Sequence, residues 1–177
     1  MEKYFWMVTE QWYGKLRKVD GCDKLTNLKA TVTDGKHIKK IADKLGVPKE
    51  NRFINCSPSI DDLKGTYMTL MKLSRKKSYE KKPHVFFIYF GGHGATQAEK
   101  QVFLLNSEDP KKAVFQIEFK LRYLVNDAMS LTHICVIFDC CRVPLDGLTG
   151  LINGRGNGAP EDEDPVDSDH DESCRYF

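Results

Sequence analysis

The sequence predicts an α/β fold, with a mostly parallel central sheet covered by helices on both faces. Three observations carry this. Strand-like and helix-like segments alternate along the chain. The strand-like runs are continuously apolar, as strands buried on both faces are, instead of alternating with polar residues. A chain of 177 residues with 41% hydrophobic content also has room for one domain with a substantial core.

Tyr4–Val8 (YFWMV) reads as the first strand, an apolar run too short to be a helix of its own. The polar, glycine-containing stretch from Thr9 to Asn27 is most simply a loop. From Asp34 to Leu45, the residues Ile38, Ile41, Ala42 and Leu45 recur at helical spacing, and Gly46 with Pro48 stops the helix. Arg52–Cys56 is a short strand. Ser59 followed by Asp62 has the form of a capping box with Asp in the Glu position, and Leu63, Tyr67, Leu70 and Met71 make one helical stripe. Val85–Phe90 is the next strand, and Gln101–Pro110 is a strand or hairpin arm ending in a turn. Ile117, Leu121, Leu124, Val125 and Ala128 form another helical face, and Ile134–Phe138 is the last strand. No internal repeat is visible.

The formal charge of +2 hides an asymmetry: residues 151–177 hold eight acids against two arginines, net −6, which leaves +8 on residues 1–150. The expected organisation is a folded domain over 1–150, then a glycine-rich and acidic tail over 151–177 that repels itself and has little to bury. The basic stretch Arg75–Lys82 (RKKSYEKK) reads as a solvated loop in preference to a nucleic-acid site. No apolar run reaches the roughly 20 residues needed to cross a bilayer, and the N-terminus makes a poor signal peptide. The six cysteines have no framework spacing, and Cys140 and Cys141 are adjacent, which suits neither a structural disulfide nor a CxxC zinc site. Free thiols and a cytoplasmic location are expected.

Two apolar runs end in reactive side chains. HVFFIYFGGHG (His84–Gly94) stops at a histidine between glycines, and HICVIFDCCR (His133–Arg142) at a pair of cysteines. In open parallel sheets, ligands sit beyond the carboxyl ends of the strands, which is where both groups fall. A thiol is mostly protonated at neutral pH, and an imidazole can take its proton and later deliver it to a leaving amine. Glycines beside the histidine let backbone and substrate approach closely, and the Gly94 N–H is free to stabilise a developing oxyanion. Taken singly, the motifs read first as a turn histidine and as a buried small hydrophobe; together they point to nucleophilic catalysis.

YFGGHG and FDCCR resemble the paired motifs of the caspase-like cysteine peptidases, the caspases, metacaspases and paracaspases. LKATVTD (Leu28–Asp34) is similar to a third segment of that superfamily, so the resemblance spans about residues 4–145. The 48 residues from His93 to Cys141 also match the separation of about 50 found in caspases. The resemblance implies a caspase-like three-layer sandwich, with His93 as catalytic histidine, Cys141 as nucleophile, and the N–H groups of Gly94 and Cys141 as oxyanion donors. Cys140 falls at a small, variable position and is read as structural. Asp139 falls where metacaspases and paracaspases place an acid, and Leu28 where caspases place the arginine that binds a substrate aspartate. A pocket with Asp139, and Asp34 as a second carboxylate, would favour Arg or Lys before the scissile bond. Asp34 has an alternative reading, as an acid that merely begins the helix.

The motifs depart from the family in places. CRVPLDG lacks the His-Ser-Gly that metacaspases carry after the nucleophile, and Arg142 makes the motif paracaspase-like. Only 36 residues follow Cys141, so the family's small subunit is missing from the sequence. The expectation is therefore a large-subunit fragment, a chain that borrows a small subunit or second protomer, or a protease-like domain without turnover that binds partners instead. GRGNG around Arg155 is a basic site that such an enzyme could cut itself. No cofactor is needed for the chemistry. Calcium activates many metacaspases, but the acidic tail lacks the glycine and terminal glutamate of an EF-hand loop.

Overall fold

The structure, a computed structural model, describes residues 1–97, 100–126, 131–141 and 143–144. In chain order the elements are β1 (Glu2–Thr9), α1 (Ala30–Lys44), β2 (Arg52–Cys56), α2 (Ile60–Tyr79), β3 (His84–Gly91), β4 (Gly94–Gln97), β5 (Lys100–Leu104), β6 (Val114–Phe115), α3 (Ile117–Asn126), β7 (Thr132–Asp139) and β8 (Val143–Pro144). The main sheet has the order β2-β1-β3-β7, with every pairing parallel. A smaller sheet, β6-β5-β4-β8, is antiparallel except where β4 meets β8.

Helices cover both faces of the main sheet, so the α/β class and the parallel sheet stand as expected. On one face Tyr4, Trp6, Val8, Phe86, Ile88 and Phe90 pack against the α2 stripe of Leu63, Tyr67, Leu70 and Met71 and against Leu121 and Leu124 of α3. Phe86 and Phe90 are fully buried, and burial of each stabilises the fold by roughly 1.5–3 kcal/mol. On the other face Phe5, Met7 and Tyr89 meet Ala42 and Val47, with Ile38 and Leu45 at the margin. The capping box forms in full: Ser59 Oγ accepts from Asp62 N–H at 3.1 Å, and Asp62 Oδ2 accepts from Ser59 N–H at 2.9 Å. β7 is the outer strand of the described sheet, and it leaves Ile137 and Phe138 exposed.

Two expectations need correction, the start of α1 and the loop at Arg75–Lys82. α1 starts at Ala30, not Asp34; its cap residue is Lys29, which makes no side-chain capping bond, so the usual sequence signal for a helix start is missing. The stretch after β1 is a loop, as expected, with one short 3-10 turn at Leu16–Lys18, yet part of it is buried. Tyr13, Leu16, Val19 and Cys22 are buried in it, because Ala95, Val102, Leu104, Ala113 and Val114 of the small sheet and its flank need an apolar cover. The strand in Gln101–Pro110 is a hairpin arm as expected: β5 pairs antiparallel with β4 in the small sheet, a partner whose four mixed residues do not announce a strand. The basic stretch Arg75–Lys82 is not a loop throughout: Arg75–Tyr79 continue α2, and the charge is partly neutralised in place, with Lys77 paired to Glu2 at 2.9 Å and Lys82 to Glu80 at 2.9 Å.

Candidate active site at the paired strand tips

β3 and β7 are immediate parallel neighbours, and their last pair is Gly91 opposite Asp139. Both chains leave the main sheet together and pair again in the small one, where Ala95 stands opposite Val143. The partners are offset by 48 residues in both pairs, so the register carries through the crossing. His93 and Cys141, themselves 48 residues apart, sit at its midpoint. Adjacent strands are spaced about 4.8 Å apart, and the Gly92 N–H donates to the Asp139 carbonyl at 3.2 Å one step earlier. The structure thus brings the two positions side by side at the carboxyl end of the sheet.

His93 is half-buried and held from two sides. Its backbone N–H donates to the Tyr13 hydroxyl at 2.7 Å, and its ring meets the Tyr13 ring edge-on with centroids 4.5 Å apart. Its Nε2 lies 2.8 Å from the Thr26 carbonyl. A carbonyl can only accept, so Nε2 carries the proton and Nδ1 is left as the basic nitrogen. The loop that supplies these partners is itself pinned: Tyr13 N–H donates to Asn27 Oδ1 at 3.0 Å, and Leu28 N–H to the Gln11 carbonyl at 2.9 Å. Burial pushes the Tyr13 hydroxyl's pKa up, and the charges of Glu10, Cys140 and Cys141 push it the same way, whereas the His93 N–H opposes them. Both cysteines therefore lie within electrostatic reach of the group that holds the histidine.

Cys141 is exposed and Cys140 half-buried. The Gln101 side chain, itself buried, anchors them: its Nε2 donates to the Cys141 carbonyl at 3.1 Å and reaches Cys140 Sγ at 3.5 Å. Gly94 completes the junction. A Cβ there would fall 2.8 Å from both Cys140 Sγ and the Cys141 carbonyl, so only glycine lets the loops approach this closely. Leu104 N–H donates to the His93 carbonyl at 3.0 Å, which ties the residue before β4 to the end of β5.

Asp139 ends β7, and its Oδ2 accepts from the Tyr89 hydroxyl at 2.7 Å. Tyr89 is buried. Burial raises its pKa first, then the hydrogen bond and charge of Asp139, then the charges of Asp34 and Cys140. Asp34 and Asp139 therefore bear on one hydroxyl from different elements. Asp34 lies in the second turn of α1 and is not a helix cap, which removes the purely local reading of that acid. Leu28 is half-buried against the small-sheet cluster. Arg142, Arg155 and the acidic tail lie outside the described residues. Among the described residues no group of three or more His, Cys, Asp or Glu could hold a metal ion.

Tyr13, Thr26, Tyr89 and Gln101 were not legible as site residues. Thr26 acts through its carbonyl, which any residue type supplies. Tyr89 had a readable signal: it points to the same face as Asp139, two residues before that acid's strand partner. A Ser–His contact, Ser74 Oγ to His84 Nε2 at 3.1 Å, lies at the opposite end of β3 and is wholly buried, so no substrate reaches it. Comparison of the chain with protein-family models and with curated proteins returned no match.

Proposed function

We propose that the chain is a caspase-like cysteine endopeptidase that cleaves after Arg or Lys. The observation that carries this reading is the 48-residue offset shared by the strand pairs on either side of His93 and Cys141. In the proposed reaction, Nδ1 of His93 takes the Cys141 proton, and the thiolate adds to the substrate carbonyl carbon. The N–H groups of Gly94 and Cys141 receive the oxyanion. Collapse expels the amine, which leaves with the proton from His93. Water, deprotonated by the same imidazole, then hydrolyses the thioester to acid and free thiol.

Asp139 and Asp34 form the proposed recognition site for the basic side chain, and no cofactor enters the chemistry. Among the described residues no helix is long and apolar enough to cross a membrane, and Cys22, Cys56, Cys135, Cys140 and Cys141 are free thiols. Thiols outside disulfides suit a reducing compartment, so the proposed location is cytoplasmic. A small subunit or second protomer would pair along β7, whose exposed Ile137 and Phe138 favour a covering chain. The same exposed strand supports a second reading, a non-catalytic domain that binds partners there.

Fluorogenic peptides with Arg, Lys or Asp before the scissile bond test the first reading, with and without calcium, and with Cys141→Ala as control. Turnover of the Arg and Lys peptides alone, abolished in the variant, is the expected result. Turnover of the Asp peptide, or undiminished turnover in Cys141→Ala, would overturn it.

A further inference from the structure

Asp139 stands at the exposed end of an outer strand, where a lone carboxylate would sample several rotamers. It is held instead by Tyr89. The two are on the same sheet face, because Tyr89 stands opposite Ile137 and Gly91 opposite Asp139. For the phenol to lie along the strand and reach Asp139, the intervening position must have no side chain. Gly91 supplies that space: a Cβ there would fall 2.7 Å from the Tyr89 hydroxyl oxygen. Tyr89 is 3% exposed, so it does not itself meet a substrate side chain.

We infer that Tyr89 is a positioning residue for substrate specificity, which fixes Asp139 through Oδ2 across the gap left by Gly91 and leaves Oδ1 for the substrate's cation. The inference rests on the basic-residue peptidase reading and deepens it. With Oδ2 already accepting from Tyr89, Oδ1 is the less encumbered acceptor of Asp139. Asp34 is a second carboxylate that shares Tyr89's surroundings and can take another arm of a guanidinium. A planar guanidinium presents donors in several fixed directions and can bridge two such groups, whereas an ammonium is a point charge. Arg is therefore preferred to Lys, and the preference depends on Asp139 staying in place.

Steady-state kinetics of the full chain on matched Arg and Lys peptides test this, with Tyr89→Phe, Asp139→Asn and the double variant. Loss of a hydrogen bond to a charged group should raise KM for the Arg peptide about tenfold. kcat should stay within about twofold, since Tyr89 touches neither His93 nor Cys141. The Arg-over-Lys preference should shrink, and Tyr89→Phe should add little once Asp139 is Asn. Gly91→Ala, which pushes the phenol away from Asp139 by another route, should reproduce the KM effect and covers the case in which Tyr89→Phe does not fold. If the parent cleaves the Arg peptide but Tyr89→Phe is unchanged, loses kcat on both peptides alike, or adds fully to Asp139→Asn, the role of Tyr89 is overturned and the peptidase reading stands. If the parent cleaves neither peptide, the peptidase reading fails and the inference falls with it.

Discussion

The Tyr13 phenol oxygen receives the backbone N–H of His93 at 2.7 Å, while its ring packs edge-on against the imidazole. A residue 80 positions earlier in the chain thus fixes both the backbone and the ring plane of the proposed base. Tyr13 is fully buried, and its hydroxyl also donates to the Glu10 carbonyl at 3.3 Å. Tyr13→Phe keeps the ring and strands the His93 N–H. That should cost about 1–3 kcal/mol, read as a lower thermal midpoint. It should also lower kcat on an Arg peptide about tenfold, with KM little changed.

The two adjacent cysteines should separate cleanly. Cys141 is exposed at the register midpoint, whereas Cys140 is tucked against Gly94 and Gln101. Cys141→Ala should reduce turnover by at least about a thousandfold with no loss of stability. Cys140→Ala should keep turnover within a few-fold and cost about 1 kcal/mol, measured by denaturant unfolding. The reverse pattern would transfer the nucleophile role to Cys140.

Glu10 makes stability depend on pH in an unusual sense. Burial raises its pKa above the ordinary 4.5, against the N–H groups of Trp12 and Gln11 that favour the carboxylate. The folded state then holds this proton more tightly than the unfolded state. Its contribution is complete below about pH 4.5 and is lost as pH rises through the raised folded value. Glu10→Gln retains an acceptor for those N–H groups and removes the charge. It should flatten the stability–pH curve above pH 4.5 and raise stability at neutral pH.

At the far end of the sheet, His84 Nε2 lies 2.8 Å from Thr132 Oγ1 and 3.1 Å from Ser74 Oγ, and its Nδ1 lies 3.0 Å from the Lys82 carbonyl. The carbonyl fixes the proton on Nδ1, so either hydroxyl can satisfy Nε2. Thr132→Val or Ser74→Ala alone should cost about 1 kcal/mol. Together they leave Nε2 buried without a donor and should cost more than the sum of the single changes, with peptide turnover unaffected. Denaturant midpoints of the four proteins measure that coupling.

The fold was legible wherever burial wrote a continuous apolar run or a helical stripe. Tyr4–Val8, Val85–Phe90 and Ile134–Phe138 fall inside strands β1, β3 and β7, and the Leu63–Met71 stripe faces the core. Boundaries failed where the chain carries no capping side chain, as at Lys29. The packing of Tyr13, Leu16, Val19 and Cys22 was hidden because the surface they cover, the small sheet, is built of short strands without a clear period. In the candidate site, side chains such as Asp139 could be singled out by type, but contacts to the Thr26 carbonyl and the His93 N–H could not, since every residue carries those groups.

The pairing of His93 with Cys141 is tested most directly by an arginyl chloromethyl ketone, with the adduct located by peptide mapping and its rate followed by mass spectrometry. The full chain should acquire one adduct, on Cys141; His93→Ala should label many-fold more slowly, and an aspartyl ketone of equal reactivity should label no faster than that variant. Alkylation at another residue, or an equal rate on Cys141 with and without the imidazole, would contradict the pairing.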